Sequence, residues 1–178
     1  MSDQTTGDAA LDQTSAAPTE ILESLHGAPI TYSRGQRTVH TDVKGYVKLV
    51  TELKSDGYNV CVDLVAVDYL TNTDRDLPAG HTGERFEVVA NLLSHANRQR
   101  LRVRVQVPGD TATVASLFDL YPSTEAMERE AYDLMGVVFT GHPDLSRILL
   151  PDTWEGHPLR KDEATGRIPV QFKAGTVR

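Results

Sequence analysis

Two stretches, Arg85-Phe86-Glu87-Val88-Val89-Ala90-Asn91-Leu92 and Arg100-Leu101-Arg102-Val103-Arg104-Val105-Gln106-Val107, decide the fold. In the first, Phe86, Val88, Ala90 and Leu92 alternate with Arg85, Glu87, Val89 and Asn91; in the second, Leu101, Val103, Val105 and Val107 alternate with Arg100, Arg102, Arg104 and Gln106. A period of two belongs to strands that bury one face, because successive side chains point to opposite sides of a sheet. The short polar link Ser94 to Gln99 then joins them as an antiparallel hairpin.

Upstream, Val60, Val62, Leu64 and Ala66 alternate with Asn59, Cys61, Asp63 and Val65, predicting a strand whose second face is also partly covered. Before it, Val43, Tyr46, Val47, Val50 and Leu53 fall at helical spacing, with Asp42 placed as N-cap and Gly57 just past the end. The link from Thr71 to Gly83 is polar and rich in turn formers.

Downstream, Asp110 or Thr111 is placed to cap a helix carrying Val114, Leu117, Phe118 and Tyr121, which Pro122 stops. Ser123 is placed to cap another, with Met127, Ala131 and Leu134 on one face, Glu125 four residues before Arg129, and an end near Gly136. Beyond Gly136 the sequence reads as irregular and extended. Helix, strands, then helices, without βαβ alternation, predict a two-layer α+β fold: a small mixed or antiparallel sheet, helices packed on one side, and an extended C-terminal tail.

The chain divides accordingly. Residues 1–19 contain almost nothing large and apolar and are expected to be a disordered leader. Residues 20–136 form the expected globular domain, and 137–178 an extended tail that docks on a partner. The 178 residues suffice for one domain with a real core. A net charge of −7 argues against nucleic acid as partner and against an anionic membrane surface. The charge is uneven: residues 1–20 sum to −4 and residues 160–178 to +3, so the basic end is a candidate docking arm. No window is apolar enough to span a bilayer, and the start has neither the basic end nor the apolar core of a secretory signal. A cytoplasmic protein of a prokaryote is expected.

Residues with special chemistry crowd into Glu128 to Asp162 without forming a familiar catalytic pattern. His142 and His157 each sit in Gly-His-Pro with Asp144, Asp152 and Asp162 nearby, so a metal-dependent hydrolase is one alternative; the spacing, however, matches no standard ligand arrangement. On one helix Glu128 and Glu130 point about 200° apart and cannot converge on one substrate atom. Glu130 and Asp133 share a face, where support of the helix and the following loop is the simpler role. Cys61, the single cysteine, lies in an apolar strand and reads as a buried, inert thiol. Nucleotide-binding loops and nucleophile motifs are absent from the sequence. The row Arg100, Arg102 and Arg104 invites an RNA-binding reading, but the acidic balance favours a solvated or partner-facing sheet surface.

The run Val137 to Asp162 holds Val137, Val138, Phe139, Leu145, Ile148, Leu149, Leu150, Trp154 and Leu159 without periodicity. That is too apolar for a free loop, and it suits a segment whose burial a partner completes. Trp154 and Arg160 are of the types that dominate interface energetics.

Glu128-Arg129-Glu130, Gly141-His142-Pro143 and Gly156-His157-Pro158-Leu159-Arg160-Lys161-Asp162 together resemble the signature of the 30 kDa-type, or C, subunit family of proton-pumping NADH-quinone oxidoreductase, respiratory complex I. The resemblance covers about residues 43 to 162. It implies a structural subunit of the peripheral arm with no cofactor of its own, FMN and iron–sulfur clusters being carried by partner subunits. The implied partners are subunits D, B and I of the same complex. The first of these forms the quinone site and is the one braced, at the cytoplasmic face of the prokaryotic membrane and without direct insertion. Under the same resemblance, Glu128, Arg129, Glu130 and Asp133 hold their helix to the turn at His142 and Pro143, while Arg147, Trp154, His157, Arg160, Lys161 and Asp162 contact neighbours. Two positions depart from the family pattern: Ser146 stands where a basic residue is common, and Glu163-Ala164-Thr165 replaces a Phe-Pro-Leu-like continuation. An equivalent subunit of a related membrane-bound hydrogenase or ferredoxin-linked quinone reductase is the nearest alternative.

Overall fold

The computed structural model describes residues 23–163; the expected leader and the end of the expected tail lie outside them. Six strands form one mixed sheet: β1 (Glu23–Leu25), β2 (Ala28–Ser33), β3 (Gln36–Asp42), β4 (Val60–Asp68), β5 (Phe86–Ser94) and β6 (Gln99–Val107), in the order β1-β2-β3-β6-β5-β4. The expected hairpin lies within it, β6 at the centre beside β3, with Phe86 opposite Val107 and Ala90 opposite Val103. All neighbours pair antiparallel except β3 and β6, which run parallel. The chain crosses between those two through a helix, α1 (Tyr46–Ser55), and the β4 and β5 strands.

One face of the sheet is apolar. Val39, Leu64, Val88, Ala90, Val103 and Val105 are buried there with Tyr46, Leu49, Val50 and Leu53 of α1. A second helix, α2 (Glu125–Met135), packs over β4. The two-layer α+β expectation therefore holds, with helices on one side.

Five local expectations need correction. The helix α1 begins at Tyr46 rather than Val43, because Asp42 Oδ1 accepts the Gly45 N–H at 2.7 Å and closes a turn before the helix; Val47 faces outward. In β4 the pairing register shifts between Cys61 and Asp63. This bulge inserts Val62 as an extra residue, so Cys61 and Leu64 are buried while Val60 and Val62 are exposed.

The helix expected after Asp110 does not form. Thr113–Ala115 is instead a short strand, β7, paired parallel with β8 (Val138–Thr140), Val114 lying opposite Phe139. The β-branched run Thr111, Thr113 and Val114 favours extended backbone. Val114, Leu117 and Tyr121 are buried all the same; their spacing records burial and not a helical period. Pro122 opens a 3-10 turn (Pro122–Thr124) that leads into α2, and Ser123, expected as the cap, donates its hydroxyl to Cys61 O at 3.3 Å.

Finally, the chain does not leave the body at residue 137. Val137 is buried, β8 joins β7, and residues 141 to 163 lie back along α2 as far as the sheet. Gly136 makes this reversal possible: it ends α2 in the left-handed region, φ +71°.

Candidate functional site

The site is the scaffold that α2 builds for the segment after it. Asp133 is the centre. Its side chain is fully buried, and Oδ2 accepts three successive backbone N–H groups, from Ile148 at 3.1 Å, Leu149 at 2.8 Å and Leu150 at 2.9 Å. Oδ1 accepts Arg147 Nη1 at 2.6 Å. Consecutive N–H groups converging on one anion make a nest, and here the anion belongs to the same chain. Burial alone would raise the Asp133 pKa. The N–H of Leu150, the Arg147 guanidinium and the N–H groups of Leu149 and Ile148 outweigh it and hold the carboxyl at about 2.

Around this centre every arm of the loop is tied. Arg129 pairs with Glu125 at 3.0 Å, one turn earlier on α2, and donates to Ser146 O at 3.1 Å, Ser146 Oγ at 3.0 Å and Arg147 O at 3.1 Å. Ser146 is thus an acceptor for Arg129, a job no basic side chain at that position would do. Arg147 Nη2 reaches Gly156 O at 3.2 Å. His157 donates from Nδ1 to Asp133 O at 3.0 Å, and its ring meets Tyr132 edge-on. Arg160 spans the helix end, donating to Met135 O at 2.7 Å and Gly136 O at 3.2 Å, and lies 5.3 Å from the Phe86 ring centre. A side chain at position 136 would collide with Arg160 and His157.

The last turn reaches the sheet. Asp68, at the end of β4, accepts the Lys161 N–H at 2.9 Å and Arg85 at 3.0 and 3.1 Å, and Arg85 also holds Asp162 at 2.7 Å. Burial works to raise the Asp68 pKa, but Arg85 and the Lys161 and Leu70 N–H groups prevail and lower it. Arg85 likewise lowers Asp162.

The expected site residues therefore divide. Arg129 and Asp133 bond residues 146–150 rather than the turn at His142 and Pro143 expected for them. Glu128 instead ties the segment after β7: fully buried, it accepts Ser116 Oγ at 2.6 Å and the Leu117 N–H at 2.8 Å. Glu130 is exposed on the rim of an apolar groove between α2 and β4, and no hydrogen bond ties it to the loop among the described residues. His142 donates from Nε2 to Glu125 O at 3.1 Å and accepts the Asp144 N–H on Nδ1 at 3.1 Å. With Nδ1 serving as acceptor, Nε2 carries the proton. Both nitrogens are spent, and no group of three or more His, Cys, Asp or Glu among the described residues is placed to hold a metal ion. Pro143, Lys161 and Asp162 are exposed, and Trp154 is half-buried with its backbone N–H bonded to Pro151 O at 2.8 Å.

Arg147, His157 and Arg160 thus direct their polar groups into their own domain. Among the side chains the scaffold turns outward, large apolar ones stand out: Leu149 is 61% exposed, Leu159 50% and Ile148 40%. Sequence reasoning registers Ile148 and Leu149 only as part of an apolar run. The signal that singles them out is the anchor beneath them: a buried acid one helix away that fixes their backbone and leaves their side chains no inward path. Elsewhere Cys61 is buried, and burial pushes its thiol up to about 11.

Comparison with known proteins follows the same lines. The profile of the family described as respiratory-chain NADH dehydrogenase, 30 Kd subunit, matches residues 39–167. The C subunit of NADH-quinone oxidoreductase from Geobacter metallireducens is 44% identical over 142 residues, covering 78% of this chain and 82% of the relative. That of a Nocardioides species is 35% identical over 173 residues, 96% of this chain but 66% of the relative. Among solved structures, a trypsin-resistant fragment (1–134) of Nqo5 superposes with a TM-score of 0.59 at 36% identity, covering 67% of this chain and 90% of the fragment. A chain of an archaeal respiratory membrane complex, the membrane-bound sulfane sulfur reductase, shares the fold at 23% identity, with a TM-score of 0.63 over 76% of each chain. The α+β body, the tied α2 loop and these matches agree: the chain belongs to the 30 kDa subunit family of respiratory-chain NADH dehydrogenase, the C subunit family of complex I.

Proposed function

We propose that this chain serves as the structural 30 kDa-type subunit of the peripheral arm of a proton-translocating NADH-quinone oxidoreductase, bracing the D subunit at the quinone site with the B and I subunits beside it. It carries no cofactor; flavin and iron–sulfur clusters belong to its partners. It takes part in electron transfer from NADH to quinone by holding the subunits that perform it, at the cytoplasmic face of the membrane and without inserting. Among the described residues no helix is long and apolar enough to cross a membrane.

The observation that carries the docking role is the Asp133 nest, which fixes the backbone of Ile148 and Leu149 while their side chains remain exposed. A preorganised apolar projection loses little further entropy on binding. Arg147, His157 and Arg160, expected from the sequence to meet neighbours, act one step behind it, as braces. The archaeal neighbour supports a second reading, the equivalent subunit of a related membrane-bound hydrogenase or ferredoxin-linked quinone reductase, since the same fold occurs in another respiratory membrane complex.

Mild-detergent affinity purification of the tagged chain from membranes tests both. Recovery of the B, D and I subunits with NADH-to-quinone activity supports the first, a hydrogenase or ferredoxin-linked assembly the second. A lone monomer, or one carrying stoichiometric zinc or manganese, contradicts the docking role and revives the hydrolase alternative.

A further inference from the structure

The second face of the sheet, away from the helices, has its own chemistry. Glu87, fully buried, is satisfied there by Arg104 at 2.5 Å and Gln106 at 2.6 Å. Two other guanidiniums on that face have no carboxylate. Arg102 donates to Asn91 Oδ1 at 3.2 Å and Gln36 Oε1 at 3.3 Å. The Arg100 side chain makes no hydrogen bond or ion pair among the described residues. Arg37, level with buried Leu101, turns the other way and donates to Tyr58 Oη at 2.6 Å. Arg100 and Arg102 line one hollow of about 260 Å³. Asp63 is the carboxylate in that hollow, and among the described residues it forms no ion pair with them. Two cations against one acid leave a surplus on a chain whose net charge is −7.

The hollow continues, through shared Asn91 and Arg102, into a groove of about 400 Å³ along the same face. Val62 lines the first and Val65 the second, each 41% exposed. An arginine held in position by neutral amides, Arg102, beside an unpaired one, Arg100, and next to apolar side chains is suited to receive carboxylates in a partly desolvated contact. We infer that this face binds an extended segment of another protein chain in which carboxylates alternate with apolar side chains. The carboxylates pair with Arg100 and Arg102, and the apolar groups cover Val62 and Val65. This surface is separate from the Ile148–Leu149 projection. Nucleic acid is the less suitable anion, since two cations set in an acidic body do not make a phosphate-tracking stripe.

The test places the photocrosslinker benzoylphenylalanine at Leu93, which lies opposite Arg100 on β5, in the full chain expressed in its own cells. The crosslinked segment is then sequenced. A peptide of another protein with two or more Asp or Glu interspersed with apolar residues is expected. Its yield should fall at least about threefold with Arg100→Glu, as a like charge replaces an attractive one, and stay unchanged with Lys44→Glu on the helix side. Because the Arg100 side chain makes no bond among the described residues, that variant should keep the wild-type melting temperature. A crosslink to nucleic acid, to a segment without carboxylates, to nothing, or one indifferent to Arg100→Glu would overturn the inference.

Discussion

Asp133 on α2 holds Arg147, fourteen residues further along, twice: its carboxylate accepts Arg147 Nη1 at 2.6 Å and its backbone carbonyl accepts the same nitrogen at 3.2 Å. Through this pair the helix dictates the path of the chain that follows it.

Replacing Asp133 by Ala should leave the guanidinium of Arg147 and three N–H groups without their acceptor. A loss of about 3–5 kcal/mol in unfolding free energy is expected, with Asp133→Asn less severe because one amide oxygen remains. The carboxyl sits at about 2 against an ordinary 3.8, so its contribution is complete above the unfolded pKa and drains as pH falls from about 4 toward 2. Urea titrations at neutral pH and at pH near 2 should show the wild-type advantage over Asp133→Asn shrinking in acid. An advantage independent of pH would exclude this account.

Gly136 and Gly141 offer an internal control. Both have positive φ, +71° and +86°, but a methyl group at 141 meets open space whereas one at 136 meets Arg160 and His157. Gly141→Ala should cost about 1 kcal/mol, the conformational term alone. Gly136→Ala should cost clearly more, by about 1–3 kcal/mol of added packing strain. Equal losses in denaturant titrations would mean that the Arg160 brace is easily displaced.

Cys61 should resist a thiol reagent such as dithionitrobenzoate in the native chain at pH 8, since its thiol is buried and pushed up to about 11. Reaction at the rate of a free thiol would place it at the surface.

Much of the fold is legible in the sequence, for different physical reasons. The β5–β6 hairpin reads directly because alternation of Phe86 to Leu92 and Leu101 to Val107 has a single structural meaning when one face is buried. The end of α2 is legible because Gly136 supplies a backbone conformation other residues resist. Spacing fails between Val114 and Tyr121, where a short strand and a turn happen to bury residues at helical intervals. It fails again at Val62, because a bulge leaves no local mark in composition. The chemistry of the tail residues marks them as important, but their polarity suggests contact with neighbours. Asp133, which organises them, lies on another element, and only tertiary structure shows Arg147, His157 and Arg160 turned inward with Ile148 and Leu149 outward.

The central claim is that this outward pair docks the chain on its assembly. The most direct measurement compares the wild-type chain with Leu149→Asp in tagged purifications from membranes, quantifying the quinone-site partner by mass spectrometry, with the melting temperature of each isolated chain taken alongside. Because Leu149 is 61% exposed, the substitution should leave the melting temperature within the small range typical of surface changes while recovery of the quinone-site partner falls at least about tenfold, a loss of roughly 1.4 kcal/mol in binding. Full recovery of that partner by a folded Leu149→Asp chain would contradict the account.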